Sequence, residues 1–210
     1  KRRWMSKKLE QEVKFCIKDL KALEKSLITL GAALKQPRTY EINLRFDTPD
    51  CRLTASFQVL RLRHDQRSLL TYKSARDAKS DVSAREELEV EVSDLKTAQA
   101  ILEALGYEVM VKYEKFRTVY TLDEAEISLD EMPFGCFCEI EGVNSESIRR
   151  CAEALGLDWE KRSKLSYLAL FSIAKEKLHL DIPHLTFDAF RAISVLPSDL
   201  GLMYADKAGS

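Results

Sequence analysis

In Leu9-Glu-Gln-Glu-Val-Lys-Phe15 two carboxylates and an amine stand at alternate positions, so an extended strand carries Glu10, Glu12 and Lys14 on one face. The pattern recurs. Arg61 and Arg63 oppose Leu60 and Leu62, and Thr71 and Lys73 oppose Leu70 and Tyr72. Arg85, Glu87, Glu89 and Glu91 oppose Leu88, Val90 and Val92, and Lys115 and Arg117 oppose Phe116. Ser128 and Asp130 oppose Leu129, and Glu139 and Glu141 oppose Cys138 and Ile140. The basic set Lys14, Arg61, Arg63, Lys73, Lys115 and Arg117 suits phosphate oxygens, with arginine supplying a fork of donors. The acidic set Glu10, Glu12, Glu87, Glu89, Glu91, Asp130, Glu139 and Glu141 is an all-oxygen environment for a hard divalent cation, Mg²⁺ or Mn²⁺. Anion and metal together point to a polyphosphate or nucleotide. Neither a P-loop nor a GxGxxG is present to cradle it.

Alternation ordinarily marks the solvated face of an antiparallel sheet. The elements around these strands bear on that reading. Asp19 caps a helix with apolar residues Leu20, Leu23, Leu27, Ile28 and Leu30, ending at Gly31. Asp94 to Leu105 before Gly106, and Ser145 to Leu155 before Gly156, are amphipathic in the same way. Each helix follows a strand with Glu-x-Glu, at Glu10/Glu12, Glu89/Glu91 and Glu139/Glu141, an architectural echo repeated three times. Such helices need an apolar sheet face to pack on, which leaves the charged faces together on the other side. If the sheet closes, that side is a lumen, where charges must pair or bind ligands.

Further strands are expected at Thr39 to Asp47, Phe57 to Arg63, Ser68 to Ser74, Val109 to Leu122 and Glu126 to Met132, with hairpin turns at His64 to Arg67 and Asp123 to Ala125. Long alternating strands outnumber helices, so the expected class is α+β, with a closed or strongly curved antiparallel sheet and helices outside it. The length of 210 residues suits one main domain, placed at 5–174. The tail 175–210, broken by Pro183 and Pro197, is expected as a helical or irregular appendage packed on the barrel or on a partner, in which Leu185 to Leu196 could make a short amphipathic helix. Residues 1–4 precede Met5 and stay outside the fold reading.

Composition narrows the partners. Lys plus Arg, 33, nearly cancels Asp plus Glu, 34, so no overall field favours nucleic acid or an anionic membrane. No apolar run is long enough to cross a bilayer, and no apolar stretch follows Lys1-Arg-Arg3 in the manner of a signal peptide. The five cysteines lack paired CxxC spacing, which fits a reduced cytoplasmic protein. Cys136 and Cys138 share the apolar parity and read as packing residues. His64, His179 and His184 fall in a turn and in the tail, away from any expected chemistry.

The ordered series Glu10-x-Glu12-x-Lys14, Arg61-x-Arg63, Leu70-Thr-Tyr-Lys73, Arg85-x-Glu87-x-Glu89, Lys115-x-Arg117, Asp130, Phe137-Cys-Glu139-Ile-Glu141 and Lys164-x-Ser166-Tyr167 resembles the CYTH superfamily, also called triphosphate tunnel metalloenzymes. The resemblance spans about Leu9 to Phe171, and Asn43-Leu-Arg-Phe-Asp-Thr-Pro49 is similar to the family's aromatic-Asp-Thr-Pro strand end. It implies a closed eight-stranded antiparallel tunnel in which basic residues hold a triphosphate and glutamates hold one or two divalent metals. By match of motif, Glu10, Glu12, Glu139 and Glu141 are the main metal-side carboxylates, with Glu87, Glu89 and Asp130 alongside. Lys14, Arg61, Arg63, Lys73, Lys115, Arg117 and Lys164 then face phosphates. Lys164 reads equally as a surface residue of a basic helix start, Tyr167 as packing, and Glu91 as a residue of the tunnel mouth.

Metal-dependent hydrolysis of a triphosphate is the leading expectation, with inorganic triphosphate as substrate and Glu10, Glu12 and Glu141 as the residues acting on water. The resemblance equally implies a class IV adenylate cyclase, in which the ribose hydroxyl of ATP attacks the α-phosphorus and diphosphate leaves. A thiamine triphosphatase and a non-catalytic polyphosphate- or nucleotide-binding module are the further alternatives. The expected partner is a small molecule bearing a triphosphate, with no nucleic acid and no membrane, and with a homodimer left open.

Overall fold

The computed structural model describes residues 8–75 and 83–206, with side chains from 11 to 75 and from 86 to 206. The strands are β1 (Lys8–Ile17), β2 (Ala33–Asp47), β3 (Val59–His64), β4 (Ser68–Lys73), β5 (Ser83–Val92), β6 (Glu108–Leu122), β7 (Ala125–Met132) and β8 (Gly135–Gly142). The helices are α1 (Leu20–Thr29), α2 (Arg52–Ala55), α3 (Leu95–Ala104), α4 (Ser145–Ala154) and α5 (Tyr167–Leu178). The sheet closes in the order β1-β5-β4-β3-β2-β6-β7-β8, with every neighbouring pair antiparallel. A closed antiparallel barrel with helices outside is therefore the observed architecture.

Closure follows from the two-sided strands. Val13, Phe15, Ile17, Cys138 and Ile140 point outward and are buried under α1 and α4. Phe46 and Leu62 are covered by Leu102 of α3. Three helices end as the sequence suggests, with Gly31, Gly106 and Gly156 at φ of 82°, 89° and 72° just beyond the terminal leucine. Asp19 and Asp94 cap α1 and α3 by accepting from Ala22 and Thr97 backbone N–H groups. The three strands that carry Glu-x-Glu, β5, β1 and β8, prove to be neighbours in the barrel. The echo along the chain thus places carboxylates on three adjacent strands, with Glu10 opposite Arg85 and Glu12 opposite Glu141.

The C-terminal part packs on the barrel as expected but forms its helix elsewhere. Leu185 to Leu196 forms turns rather than an amphipathic helix. Leu185 instead bridges Tyr113, donating its N–H to the Lys112 carbonyl and accepting from Glu114 N–H, while the Glu114 carboxylate accepts from Phe187 N–H. Backbone groups needed to start a helix are thereby spent on β6. The helix that does form is α5, and the expected division at 174/175 falls inside it. Tyr167, Leu170, Phe171 and Ala174 of α5 join Phe134, Phe137, Leu185, Phe190 and Leu200 in a single core, so the tail is part of the barrel's packing. Among the described residues no helix is long and apolar enough to cross a membrane.

Candidate active site in the barrel lumen

Inward-facing side chains enclose a cavity of about 1550 Å³, lined by Glu12, Lys14, Arg61, Arg63, Lys73, Glu87, Glu89, Lys115, Arg117, Glu139 and Glu141 among others. The residues singled out by strand parity are thus brought together in one space. Asp130 lies behind this wall, fully buried, and Lys164 faces solvent. The side chains of Glu10 and Arg85 fall outside the described residues, although Glu10 stands opposite Arg85 in the β1–β5 ladder.

The acidic side is set by register. Glu12 lies directly opposite Glu141, and Glu141 directly opposite Glu126, giving a row of three carboxylates across β1, β8 and β7. Like charges facing each other across strands repel. Lys14 answers part of this, donating to Glu12 at 2.7 Å and lying 3.0 Å from Glu139, while Lys35 pairs with Glu126. Burial alone would lower the Lys14 pKa, but the two glutamates overcome it and hold the amine protonated well above its ordinary range. Burial likewise opposes the Glu139 carboxylate, yet Lys14, Arg117 and Lys115 keep it ionised well below the usual carboxylate range. Among the described residues no three carboxylates converge closely enough to enclose an ion as they stand. The donor set nevertheless fits a hard divalent cation: it is all carboxylate oxygen, and the row at Glu12, Glu141 and Glu126 carries charge that such an ion would offset.

The basic side is built on an anchor. The Asp130 carboxylate accepts from Arg117 in a bidentate pair, with Nε at 2.6 Å from Oδ1. It also accepts from Lys115 Nζ at 3.3 Å and from the Tyr167 hydroxyl at 2.7 Å. Its acceptor capacity is therefore directed at cations and a hydroxyl. Tyr167 does pack in the core, and its hydroxyl is held protonated by burial and by Asp130 and Glu139. Its ring also lies 5.4 Å from both Lys14 and Lys115. On β3, Arg61 reaches only weak contacts, Tyr113 Oη at 3.4 Å and Thr71 Oγ1 at 3.5 Å, and Arg63 stands 3.9 Å from both Glu89 and Asp65. The buried Nε atoms of Arg61 and Arg63 make no hydrogen bond. Unsatisfied buried donors are costly, so these two guanidiniums suit an incoming anion. Lys73 lies 3.3 Å from Glu87.

Several lumen residues were not singled out from sequence. Glu41 is buried, 3.4 Å from Lys115, and accepts from Asn43 at 2.8 Å. Burial would raise its pKa, but Lys115, Arg117, Arg61 and Arg63 bring it down from 4.5 to about 2. Arg45 and Glu126 also point inward by register, beside Thr71 and Ser128, which parity had already placed on that face. The signal was available: Glu41, Asn43 and Arg45 alternate with Ile42, Leu44 and Phe46, the same two-residue period that marks the other strands.

A comparison with known families settles the affiliation: the CYTH domain profile matches residues 8–181. The chain belongs to the CYTH family. Among relatives, a Methanocaldococcus jannaschii protein carried under the name of a candidate adenylate cyclase is 27% identical over 173 residues, covering 77% of this chain and 98% of its own length. A candidate adenylate cyclase structure from Vibrio parahaemolyticus superposes with a TM-score of 0.71 at 24% identity, covering 80% of this chain and 99% of that one. A Hippeastrum structure, described as a candidate adenylyl cyclase that reveals a dominant triphosphatase activity, has a TM-score of 0.59 at 22% identity, covering 78% and 95%. The fold of this CYTH protein is thus one it shares with both solved structures.

Proposed function

We propose that this CYTH protein hydrolyses a triphosphate with a divalent metal, binding the phosphate chain along the lumen and transferring its terminal phosphoryl group to water. The observation that carries the reading is the division of one cavity into a carboxylate wall on β5, β1 and β8 and a cation set on β3 and β6. Anion binding alone needs no row of facing carboxylates, which weighs against a non-catalytic sensor.

In this reading Glu12, Glu139 and Glu141, with Glu10 and Glu126, hold Mg²⁺ or Mn²⁺, and Glu87 and Glu89 lie further along the same wall. The bound ion supplies charge neutralisation and a lowered pKa for water. Arg61 and Arg63 donate to phosphate oxygens, their Nε–H groups having no other hydrogen-bond acceptor, and Lys73 adds a point charge. Lys115 and Arg117, clamped by Asp130, stabilise charge that develops on the terminal phosphoryl group without moving to meet it. Asp130 is accordingly placed as the anchor of these cations, and Lys164 is left out of the phosphate set. Lys14, held between Glu12 and Glu139, fixes the two carboxylates in place and bridges the acidic and basic sides. Inorganic triphosphate is the minimal substrate. The five free cysteines support a reduced, cytoplasmic setting.

The runner-up is cyclisation of ATP, favoured by the names of the relatives and using the same lumen with the ribose hydroxyl as nucleophile. Incubation with Mg²⁺ or Mn²⁺ and either triphosphate or ATP, followed by product analysis, tests the reading. Orthophosphate release supports hydrolysis, cyclic AMP with diphosphate moves the assignment to the cyclase, and the absence of any product removes both.

A further inference from the structure

The buried cations of the lumen differ in what holds them. Lys115 and Arg117 rest on Asp130, a fully buried carboxylate that stands apart from the row Glu12, Glu141 and Glu126, and Lys115 has Glu41 at 3.4 Å besides. Lys14 is held by the acidic wall itself. It is 5% exposed, and its amine lies 2.7 Å from Glu12 Oε1 and 3.0 Å from Glu139 Oε2. The Tyr167 ring, 5.4 Å from the amine, adds a neutral face. The Lys14 main chain is fixed as well: its N–H donates to the Ser163 carbonyl at 2.9 Å, and its carbonyl accepts from Ser163 N–H at 2.7 Å. A change of partner at Lys14 is therefore a movement of the side chain alone.

The two carboxylates that hold Lys14 are ones a metal would need. Magnesium binds carboxylate oxygen at about 2.0–2.1 Å, and an ion at that distance from Glu12 Oε1 would stand against an ammonium 2.7 Å from the same oxygen. Two positive charges sharing one oxygen in a buried cavity repel strongly. Glu139 is engaged on both sides, since Arg117 Nη2 lies 3.3 Å from its Oε1. In keeping with these pairings, no three carboxylates among the described residues converge on a common point. A buried ammonium needs a counter-charge, so Lys14 leaves Glu12 only when another anion takes its place. Lys14 lines the same cavity as Arg61 and Arg63, and a phosphate chain bound there supplies that anion.

We propose that Lys14 is an exchangeable counter-ion: it holds Glu12 and Glu139 until triphosphate draws its amine away, and the carboxylates it releases then take the divalent metal. This rests on the lumen being a triphosphate and metal site. Metal and triphosphate are thereby coupled through Lys14 in addition to any direct contact between them, and by linkage each strengthens the other to the same degree.

Mn²⁺ binding to the full chain, followed by the electron paramagnetic resonance signal of free Mn²⁺, tests it. The titration is run in buffer alone and with saturating diimidotriphosphate, whose bridging nitrogens resist hydrolysis, with the same mixtures without protein as reference. Lys14→Met tightens Mn²⁺ binding about tenfold in buffer alone and changes it by less than about twofold with the analogue, because the amine has by then left the carboxylates. Lys14→Gln, neutral and still able to donate to Glu12, gives the same pattern and serves if methionine disturbs the packing against Tyr167. Equal tightening in both conditions is what the mere loss of a positive charge produces, and it overturns the exchange, as does the absence of tightening in buffer alone; both leave the lumen assignment standing. Failure of wild type to bind the analogue, with or without Mn²⁺, overturns the lumen assignment and the exchange with it.

Discussion

Asp130→Asn separates two roles for a buried carboxylate by the sign of its effect. Asp130 is fully buried and accepts from Arg117, Lys115 and Tyr167. Asparagine keeps the size and can still accept from Tyr167, but it removes the charge that faces two buried cations. Glu139 stays 3.3 Å from Arg117 and Glu41 stays 3.4 Å from Lys115, so the loss is partly covered. Breaking a buried ion pair by removing one partner costs about 3–5 kcal/mol, and the low end applies here. With a urea slope of about 2–3 kcal/mol/M for a domain of this size, a loss of about 3 kcal/mol lowers the unfolding midpoint by about 1 M. The assay is equilibrium urea unfolding in EDTA. If Asp130 were one of a cluster of metal carboxylates, neutralising it in EDTA would relieve repulsion and raise the midpoint. An unchanged or raised midpoint therefore refutes the anchoring role.

Other consequences are as direct. Glu41 has a folded pKa of about 2 against 4.5, a depressed carboxylate, so its stabilisation is present above about pH 4.5 and is lost as pH falls toward 2. The shift corresponds to about 3 kcal/mol, and Glu41→Gln should flatten that part of the acid-unfolding curve; an unaltered curve would remove Glu41 from the buried charge network. Gly142→Ala would place a Cβ 2.9 Å from Ile148 Cγ1 and from Ser147 Oγ at the β8–α4 junction. A loss of stability of about 1–3 kcal/mol is expected from such overpacking, and a lowered thermal unfolding midpoint checks it. Arg61→Ala should weaken triphosphate binding in a direct titration, and an unchanged affinity would take Arg61 out of the site.

Strand parity was enough to gather the charged residues on one face, because each residue's side is fixed by a two-residue period that needs no tertiary information, while closure of that face into a lumen was implied by the family resemblance. It located Glu12, Lys14, Arg61, Arg63, Lys73, Lys115, Arg117, Glu139 and Glu141 on the cavity wall. It could equally have found Glu41 and Arg45, whose strand alternates just as cleanly. Helix α5 was missed, and the domain division was placed inside it, although Ser166 is a capping residue and Tyr167, Leu170, Phe171 and Ala174 follow helical spacing. Other features depend on which strands meet. The row Glu12, Glu141 and Glu126 exists only through register across three strands. Asp130 becomes an anchor only when β6, β7 and α5 bring their donors to it.

The central claim is that the carboxylate row and the cations of one lumen act together on a triphosphate. Phosphate release from inorganic triphosphate, measured against Mg²⁺ or Mn²⁺ concentration for wild type and for folded Glu12→Gln, tests it most directly. The account predicts turnover that requires the metal in wild type and is lost in Glu12→Gln while triphosphate binding to the cations persists. Turnover that is independent of metal, or that survives Glu12→Gln at the wild-type metal requirement, would contradict it.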